Sequence, residues 1–347
     1  MVDTSKVEVL IEKVICDYSQ LDDENTNSGY VITEEKPSYN IYDDCIKKVL
    51  EIDYIKNVLN DINAVYKGYK NMRGLIGSTS SIAWDDRSDH TFELIGYREG
   101  KMWGKKRIFK DESAKKVDKK YSSTFDNYDY KNNHNRLVPS SPCPVLFGIR
   151  GDDYNDLIDS KKLFISEKID GWIIYKSNQG SDDHLQKTMI NDIEPFMSVI
   201  CRGKVVSEPK TIRGGHVFFR ICDETGTIDC AAYEPTKEFR DIVRNLVQGD
   251  IVEVFGGIRE KPMTVNIEKI RIISLENIVE KVENPVCPKC GKHMKSKGKN
   301  QGFKCIRCKT KSKKPIVSEK KRNIKPGFYE VPVCARRHLS KPLKRIR

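Results

Sequence analysis

The pairs Cys287-Pro-Lys-Cys290 and Cys305-Ile-Arg-Cys308, 14 residues apart, constrain this chain more than any other feature. Two such knuckles facing one another across a hairpin present four thiolates tetrahedrally, the arrangement that binds zinc. Gly291 after the first pair and Gly302-Phe303 before the second suit a zinc ribbon over residues 284–312. Four sulfur ligands leave no open coordination position, so the predicted zinc is structural and not catalytic. It holds a core too small to be stable alone. The chain has eleven cysteines, but only this group has metal spacing. In a reducing cytoplasm, the compartment expected here, the other thiols stay unpaired.

Just upstream, residues 195–278 change to a texture of short strands. Candidates lie at 197–206, 216–223, 227–232, 250–258 and 264–273, with one helix over 237–246 between the third and fourth. Five strands with a helix after the third is the order of an OB barrel. Asp223-Glu224-Thr225-Gly226 supplies a tight reversal, and Gly249 suits a left-handed helix cap. The middle strands offer Phe218, Phe219 and Tyr233 beside Arg202, Lys210, Arg213 and Arg220. Exposed rings and a basic groove are how such barrels hold single-stranded nucleic acid. Strand alternation sends one of Phe218 and Phe219 into the core. The ribbon adds Lys289, Lys292, Lys295, Lys297, Lys299, Lys304, Arg307 and Lys309, a density suited to phosphate. Arg213, Phe218, Tyr233, Lys304 and Arg307 are the RNA-binding candidates.

Net charge agrees. Lys and Arg number 62 against 50 Asp and Glu, a formal +12, and the excess concentrates beyond residue 289 while the first 60 residues are acidic. This implies a polyanionic partner, although residues 313–347 read equally well as a solvated basic tail. No run approaches the roughly 20 apolar residues of a membrane span, and residues 1–12 lack the basic-then-apolar order of a signal peptide.

Residues 1–190 read as a mixed α/β region. Apolar spacing predicts a helix over 6–16, a strand over 30–33, a helical stretch over 41–64 broken near Glu51 and Ile52, then a glycine-containing helix or turn at 73–84 and a strand at 90–98. Residues 110–136, rich in Lys, Asp, Asn and Tyr, read as a surface excursion. A strand, a helix and a strand come next, at 144–151, 153–160 and 171–178. Within this region Arg73-Gly74-Leu75-Ile76-Gly77-Ser78-Thr79-Ser80-Ser81 joins glycines, hydroxyls and an arginine at a helix start able to cradle phosphate, or simply forms a packed turn. It is not a P-loop, since the GK[ST] ending is absent. Asp85, Asp86, Asp89 and His90 suit magnesium or proton transfer, or a solvated loop. Cys143 is read as packing rather than as a nucleophile.

The phrases RGLIGSTSSIAWDD (73–86), DHTFELIGYR (89–98), WGKKR (103–107), TFDNYD (124–129), SPCPVLFGIRG (141–151) and PGFYEVPVCARRHLSKPL (326–343) together resemble the archaeal isoleucine-tRNA 2-agmatinylcytidine synthetases. The resemblance covers nearly the whole chain. It implies an α+β multidomain protein, with kinase-like and ferredoxin-like parts over 1–190 followed by the OB barrel and zinc ribbon. It also implies an ATP-dependent ligase that phosphorylates the C2 carbonyl oxygen of the wobble cytidine and lets the amine of agmatine displace the phosphate, giving agmatidine and AUA decoding. ATP with Mg2+, structural Zn2+, agmatine and isoleucine tRNA, held at its anticodon loop and acceptor region, are the implied cofactors and partners. The cleft residues it points to are Arg73, Gly74, Gly77, Ser78, Asp89, His90 and Arg150, while Arg336, Arg337 and His338 are placed against RNA or the protein body. Family members open with a glycine–isoleucine strand running into an acidic DDTDS-like motif, and the sequence lacks it. A catalytically inactive tRNA-binding protein is therefore one alternative, and a single-stranded DNA protein built on the OB and ribbon units is another.

Overall fold

The computed structural model describes residues 4–86 and 88–346, so the opening Met1-Val2-Asp3 lies outside the described residues. The region 1–190 contains two hydrophobic cores. After helix Thr4–Tyr18, which buries no residue, the first is built by helices Tyr39–Lys47, Ile52–Asp61 and Gly74–Ala83 around a two-stranded antiparallel sheet, Gly29–Ile32 with Val65–Gly68. Its second strand was not anticipated. Ile55, Leu59 and Leu75 are fully buried there. The expected helix break falls between Lys47 and Ile52, as the apolar spacing predicts.

The second core belongs to a split βαββαβ unit. Strand Thr91–Arg98, helix Asp111–Lys120, strands Thr124–Phe125 and Val145–Gly151, helix Tyr154–Leu163 and strand Ile169–Ser177 follow in order. All pairings are antiparallel, with the sheet order second, third, first, fourth. That is the ferredoxin-like topology. Residues 110–136 are not a surface excursion. Ser113, Ala114 and Val117 bury one narrow face of the helix, and Phe125, Asn127, Tyr128 and Asp129 are all buried after it. Tyr128 and Leu137 join Leu94, Phe147 and Ile149 in the core. The lysine-rich remainder of the helix conceals a stripe only three residues wide.

The barrel closes as expected. Ser198–Val205 pairs with Val217–Cys222 and with Ile251–Arg259, Val217–Cys222 with Thr227–Ala232, and Thr227–Ala232 runs parallel to Thr264–Ser274, which returns to Ile251–Arg259. Helix Phe239–Arg244 plugs its end with Phe239 and Val243. A two-stranded stalk, Val279–Glu283 with Ile316–Glu319, carries the ribbon, whose core is Cys287, Met294, Phe303 and Cys305.

Within 313–347, the described residues from Gly327 on are not a solvated tail. Gly327–Glu330 adds a strand to the barrel beside Thr264–Ser274, and the chain then runs back onto the ferredoxin-like unit. His338 and Leu339 offer backbone carbonyls to the N–H groups of Gly180 and Asp182. The cations of this stretch find acidic partners: Arg336 meets Asp126 on the body and Glu330 of its own stretch, Arg337 meets Glu268, and Lys341 and Arg345 meet Asp89. Among the described residues no helix is long and apolar enough to cross a membrane.

Candidate active site and nucleic-acid interface

Asp89 and His90 stand where the loop before Thr91–Arg98 meets the returning carboxy-terminal segment. They line a cavity of about 640 Å³ with Ser122, Ser123, Asp152 and Arg345. Arg345 organises this wall. Its side chain is only 6% exposed, and its guanidinium donates to Asp89 at 2.7 Å, Asp152 at 2.6 Å and the carbonyl of His90 at 3.2 Å. Lys341 donates to the other Asp89 oxygen at 2.7 Å. Burial alone would raise the Asp89 pKa, but these two cations outweigh it and hold the carboxylate below its ordinary range. The Nδ1 of His90 faces the carbonyl of Ser88 at 3.1 Å. A carbonyl only accepts, so Nδ1 carries a proton, and in the neutral ring Nε2 is the lone-pair acceptor.

Arg150 lines a second cavity, of about 280 Å³, on the face of the sheet away from the two helices. It donates to Glu93 at 2.9 Å and meets Nδ1 of His338 at 2.9 Å. Since guanidinium has no acceptor, His338 receives that bond as a neutral imidazole. Desolvation and the adjacent Arg150 cation lower its pKa in the same direction. Phe125 borders both cavities.

The phosphate-cradle candidates are not brought into either cavity. Arg73 is exposed at the helix start, and Gly74 is a packing glycine: a Cβ there would lie 2.2 Å from the carbonyl oxygen of Asn27 and 2.6 Å from the backbone nitrogen of Gly29. Ser78 spends its hydroxyl on the carbonyl of Gly29 at 2.9 Å, while Gly77 has open space where a side chain would be. Of the neighbouring acids, Asp86 pairs with Lys176. Cys143 accepts from Arg107 at 3.2 Å and lines neither cavity. The residues that sequence reading left out of the site are Lys341, Lys344 and Arg345. The only signal for Lys341 was its place in the carboxy-terminal phrase 326–343, and Lys344 and Arg345 lie just beyond that phrase.

On the barrel, alternation is resolved as physics requires. Phe219 is 2% exposed, inside, and Phe218 lies outside, edge-on to Tyr233 with ring centroids 6.1 Å apart. His216 stands 5.2 Å from the same Tyr233, making an aromatic row. Arg213 is exposed at the tip of the preceding hairpin. On the ribbon Arg307 is exposed and Lys304 half-buried. The sulfur atoms of Cys287, Cys290, Cys305 and Cys308 lie within 4.8 Å of one another, the only such cluster of three or more candidate ligands among the described residues. Four thiolates at that spacing repel one another, a repulsion that a dication cancels, so the donor set fits zinc in a closed structural site.

A ferredoxin-like unit with polar cavities, joined to an OB barrel and a basic four-cysteine ribbon, defines a nucleic-acid-binding protein with an appended α/β catalytic unit. Family models match in the same order: the TiaS FLD domain over 72–184, an OB-fold nucleic acid binding domain over 199–273 and the TiaS C-terminal zinc ribbon domain over 284–324. The isoleucine-tRNA 2-agmatinylcytidine synthetase TiaS of Methanocaldococcus jannaschii is 43% identical over 97% of this chain and 80% of its own length, and that of Archaeoglobus fulgidus 40% identical over 99% and 82%. Among solved structures, a TiaS in complex with isoleucine tRNA and ATP superposes with a TM-score of 0.89 at 39% identity, covering 99% of this chain and 82% of that one. A TiaS in complex with isoleucine tRNA, AMPCPP and agmatine gives 0.87 at 38%, covering 99% and 83%. The chain belongs to the TiaS family of isoleucine-tRNA 2-agmatinylcytidine synthetases. The single-stranded DNA reading is not favoured, because the likeness extends through the α/β region which that reading left unexplained.

Proposed function

We propose that this protein ligates agmatine to C2 of the wobble cytidine of isoleucine tRNA at the expense of ATP, giving agmatidine. The observation that carries this reading is the near full-length likeness to a TiaS bound to isoleucine tRNA, an ATP analogue and agmatine. A cytosine carbonyl oxygen leaves poorly until it is phosphorylated, so ATP first phosphorylates the C2 oxygen. The agmatine amine then attacks C2, phosphate departs with the oxygen, and the amine gives up a proton. The protein's share is positioning, charge stabilisation and proton acceptance.

In this reading the cavity beside Asp89 takes the reacting groups. His90, with its proton fixed on Nδ1, offers Nε2 to the proton leaving the amine. Lys344, which lines the cavity, supplies positive charge toward phosphate. Arg345 and Lys341 are engaged by Asp89, so they orient this wall rather than reaching freely into it. Magnesium arrives with the ATP phosphates. The barrel row of His216, Phe218 and Tyr233, with Arg213 and the ribbon's Lys304 and Arg307, grips the RNA while the wobble base is turned out of its stack. Zinc held by the four cysteines keeps the ribbon folded. The cytoplasm, where tRNA is found and thiols stay reduced, is the site of action.

The test incubates the purified full chain with isoleucine tRNA transcript, ATP and radiolabelled agmatine. Label transferred to tRNA only when all three are present supports the ligase. Salt-sensitive tRNA binding with no label transfer would replace it with the inactive tRNA-binding alternative.

A further inference from the structure

A separate cavity of about 460 Å³ opens on the outer wall of the barrel, beside the ends of the strands Ser198–Val205, Thr227–Ala232 and Ile251–Arg259 and the start of Thr264–Ser274. None of its lining residues belongs to the Asp89 cavity. Phe196, at its rim, is 64% exposed and sits at φ +70°, a left-handed conformation that a bulky side chain adopts only at a cost. Its ring gains little burial in return. Tyr233 is a second ring in the lining. Asn266 contributes an Oδ1 that is shielded from water and has no hydrogen-bond partner. Arg337 holds Glu268 at 2.7 Å through one nitrogen while its side chain stays 60% exposed. A strained exposed aromatic, an acceptor with nothing to accept and an exposed guanidinium thus share one concavity of ligand size.

We propose that this cavity is a nucleobase subsite. An unstacked base from a single-stranded RNA segment lies on Phe196, donates its exocyclic amino group to Oδ1 of Asn266 as the side-chain amide turns to meet it, and sets its phosphate against Arg337. The unmet acceptor favours bases that present an exocyclic amine, which adenine, cytosine and guanine do, over uracil, whose only donor on that edge is the ring N3–H set back between two carbonyls. The proposal rests on the tRNA-binding reading for the source of the strand, and its chemistry is tested independently of ligation.

The experiment measures anisotropy of labelled rA6, rC6 and rU6 with the full chain. The wild type is expected to bind rA6 and rC6 about 5- to 10-fold more tightly than rU6, the yield of one hydrogen bond to an otherwise unsatisfied group. Asn266→Leu removes the preference. Phe196→Gly weakens all three while leaving the melting temperature unchanged or raised, because glycine takes φ +70° without strain. Equal binding of rC6 and rU6 by the wild type overturns the proposal, as does undiminished affinity in Phe196→Gly. Agmatine transfer is assayed in parallel. Base preference without transfer removes the ligase reading and keeps the subsite, and transfer without base preference removes the subsite alone.

Discussion

Replacing Arg345 by methionine keeps most of the side-chain length but withdraws the cation joining the carboxy-terminal segment to the ferredoxin-like unit. The guanidinium is 6% exposed and engages Asp89 and Asp152 together. Removing one partner of a fully buried pair costs about 3–5 kcal/mol. Here the two acids are 34% and 40% exposed, and Lys341 stays on Asp89 at 2.7 Å, so water and the lysine recover part of that. A net loss of about 2 kcal/mol is expected, which lowers the melting temperature by roughly 4–8 °C at 2–4 °C per kcal/mol. The loss carries a pH signature. The folded pKa of Asp89 lies below its unfolded value, so its stabilising contribution is present above the unfolded value of about 4 and disappears as pH falls through the folded pKa. The gap between wild type and Arg345→Met, followed by differential scanning fluorimetry, should therefore be widest at pH 7 and narrow below about pH 4. Arg345→Lys restores charge without the fork and should fall between the two. Melting temperatures within about 1 °C of each other at pH 7, or a gap that persists unchanged into acid, would refute a stabilising role for the Arg345 ion pairs with Asp89 and Asp152.

Cys290→Ser should abolish zinc retention by elemental analysis and unfold the ribbon, whose core is little more than its cysteines with Met294 and Phe303, while the barrel transition survives in the same melt. Gly74→Ala should cost about 2–3 kcal/mol in a denaturant titration, because its Cβ meets the backbone of Asn27 and Gly29, whereas Gly77→Ala, with open space around it, should stabilise by about 0.5–1 kcal/mol. Equal effects at the two glycines would show that the backbone contact is not what matters. The tRNA dissociation constant should rise steeply with KCl, and neutralising the exposed Lys289 or Arg307 should each reduce the log–log slope by about one.

The features that could be read from the sequence were those that local spacing decides. The cysteine pairs, the five-strand order with its helix after the third and the alternation that separates Phe218 from Phe219 are all set within a few residues of one another. The helix Asp111–Lys120 escaped because its buried stripe, Ser113, Ala114 and Val117, is too narrow to register against its charged neighbours. The strands after it, Thr124–Phe125 and Tyr128–Asp129, are two residues each. Asp89 and His90 could be singled out as candidates from their residue types, but the partners that give them a setting could not. Arg345 lies 256 residues from Asp89 in the chain, and no local pattern reports a contact at that separation. Gly74 carries a related ambiguity: a glycine needed for close backbone approach looks the same in sequence whether it approaches a phosphate or, as here, the neighbouring strand.

The basic excess of the chain divides into two populations with different work to do. Arg336, Lys341 and Arg345 are largely inside, each neutralised by a carboxylate of the body, so they add little to the field felt by an approaching polyanion. The ribbon's Lys289, Lys292, Lys295, Lys297, Lys299, Arg307 and Lys309 are all exposed. Long-range attraction for tRNA therefore originates at exposed cations such as those of the ribbon and the barrel's Arg213, and not at Arg336, Lys341 and Arg345, although all these stretches look equally basic in sequence. Charge-neutral substitution of ribbon lysines should slow association and leave melting unchanged, whereas substitution of Arg336, Lys341 or Arg345 should lower melting and leave the salt slope where it was. If instead Lys341→Gln flattened the salt dependence of tRNA binding as much as a ribbon variant, the segment would be contacting phosphate and its ion pairs with Asp89 would open in the complex.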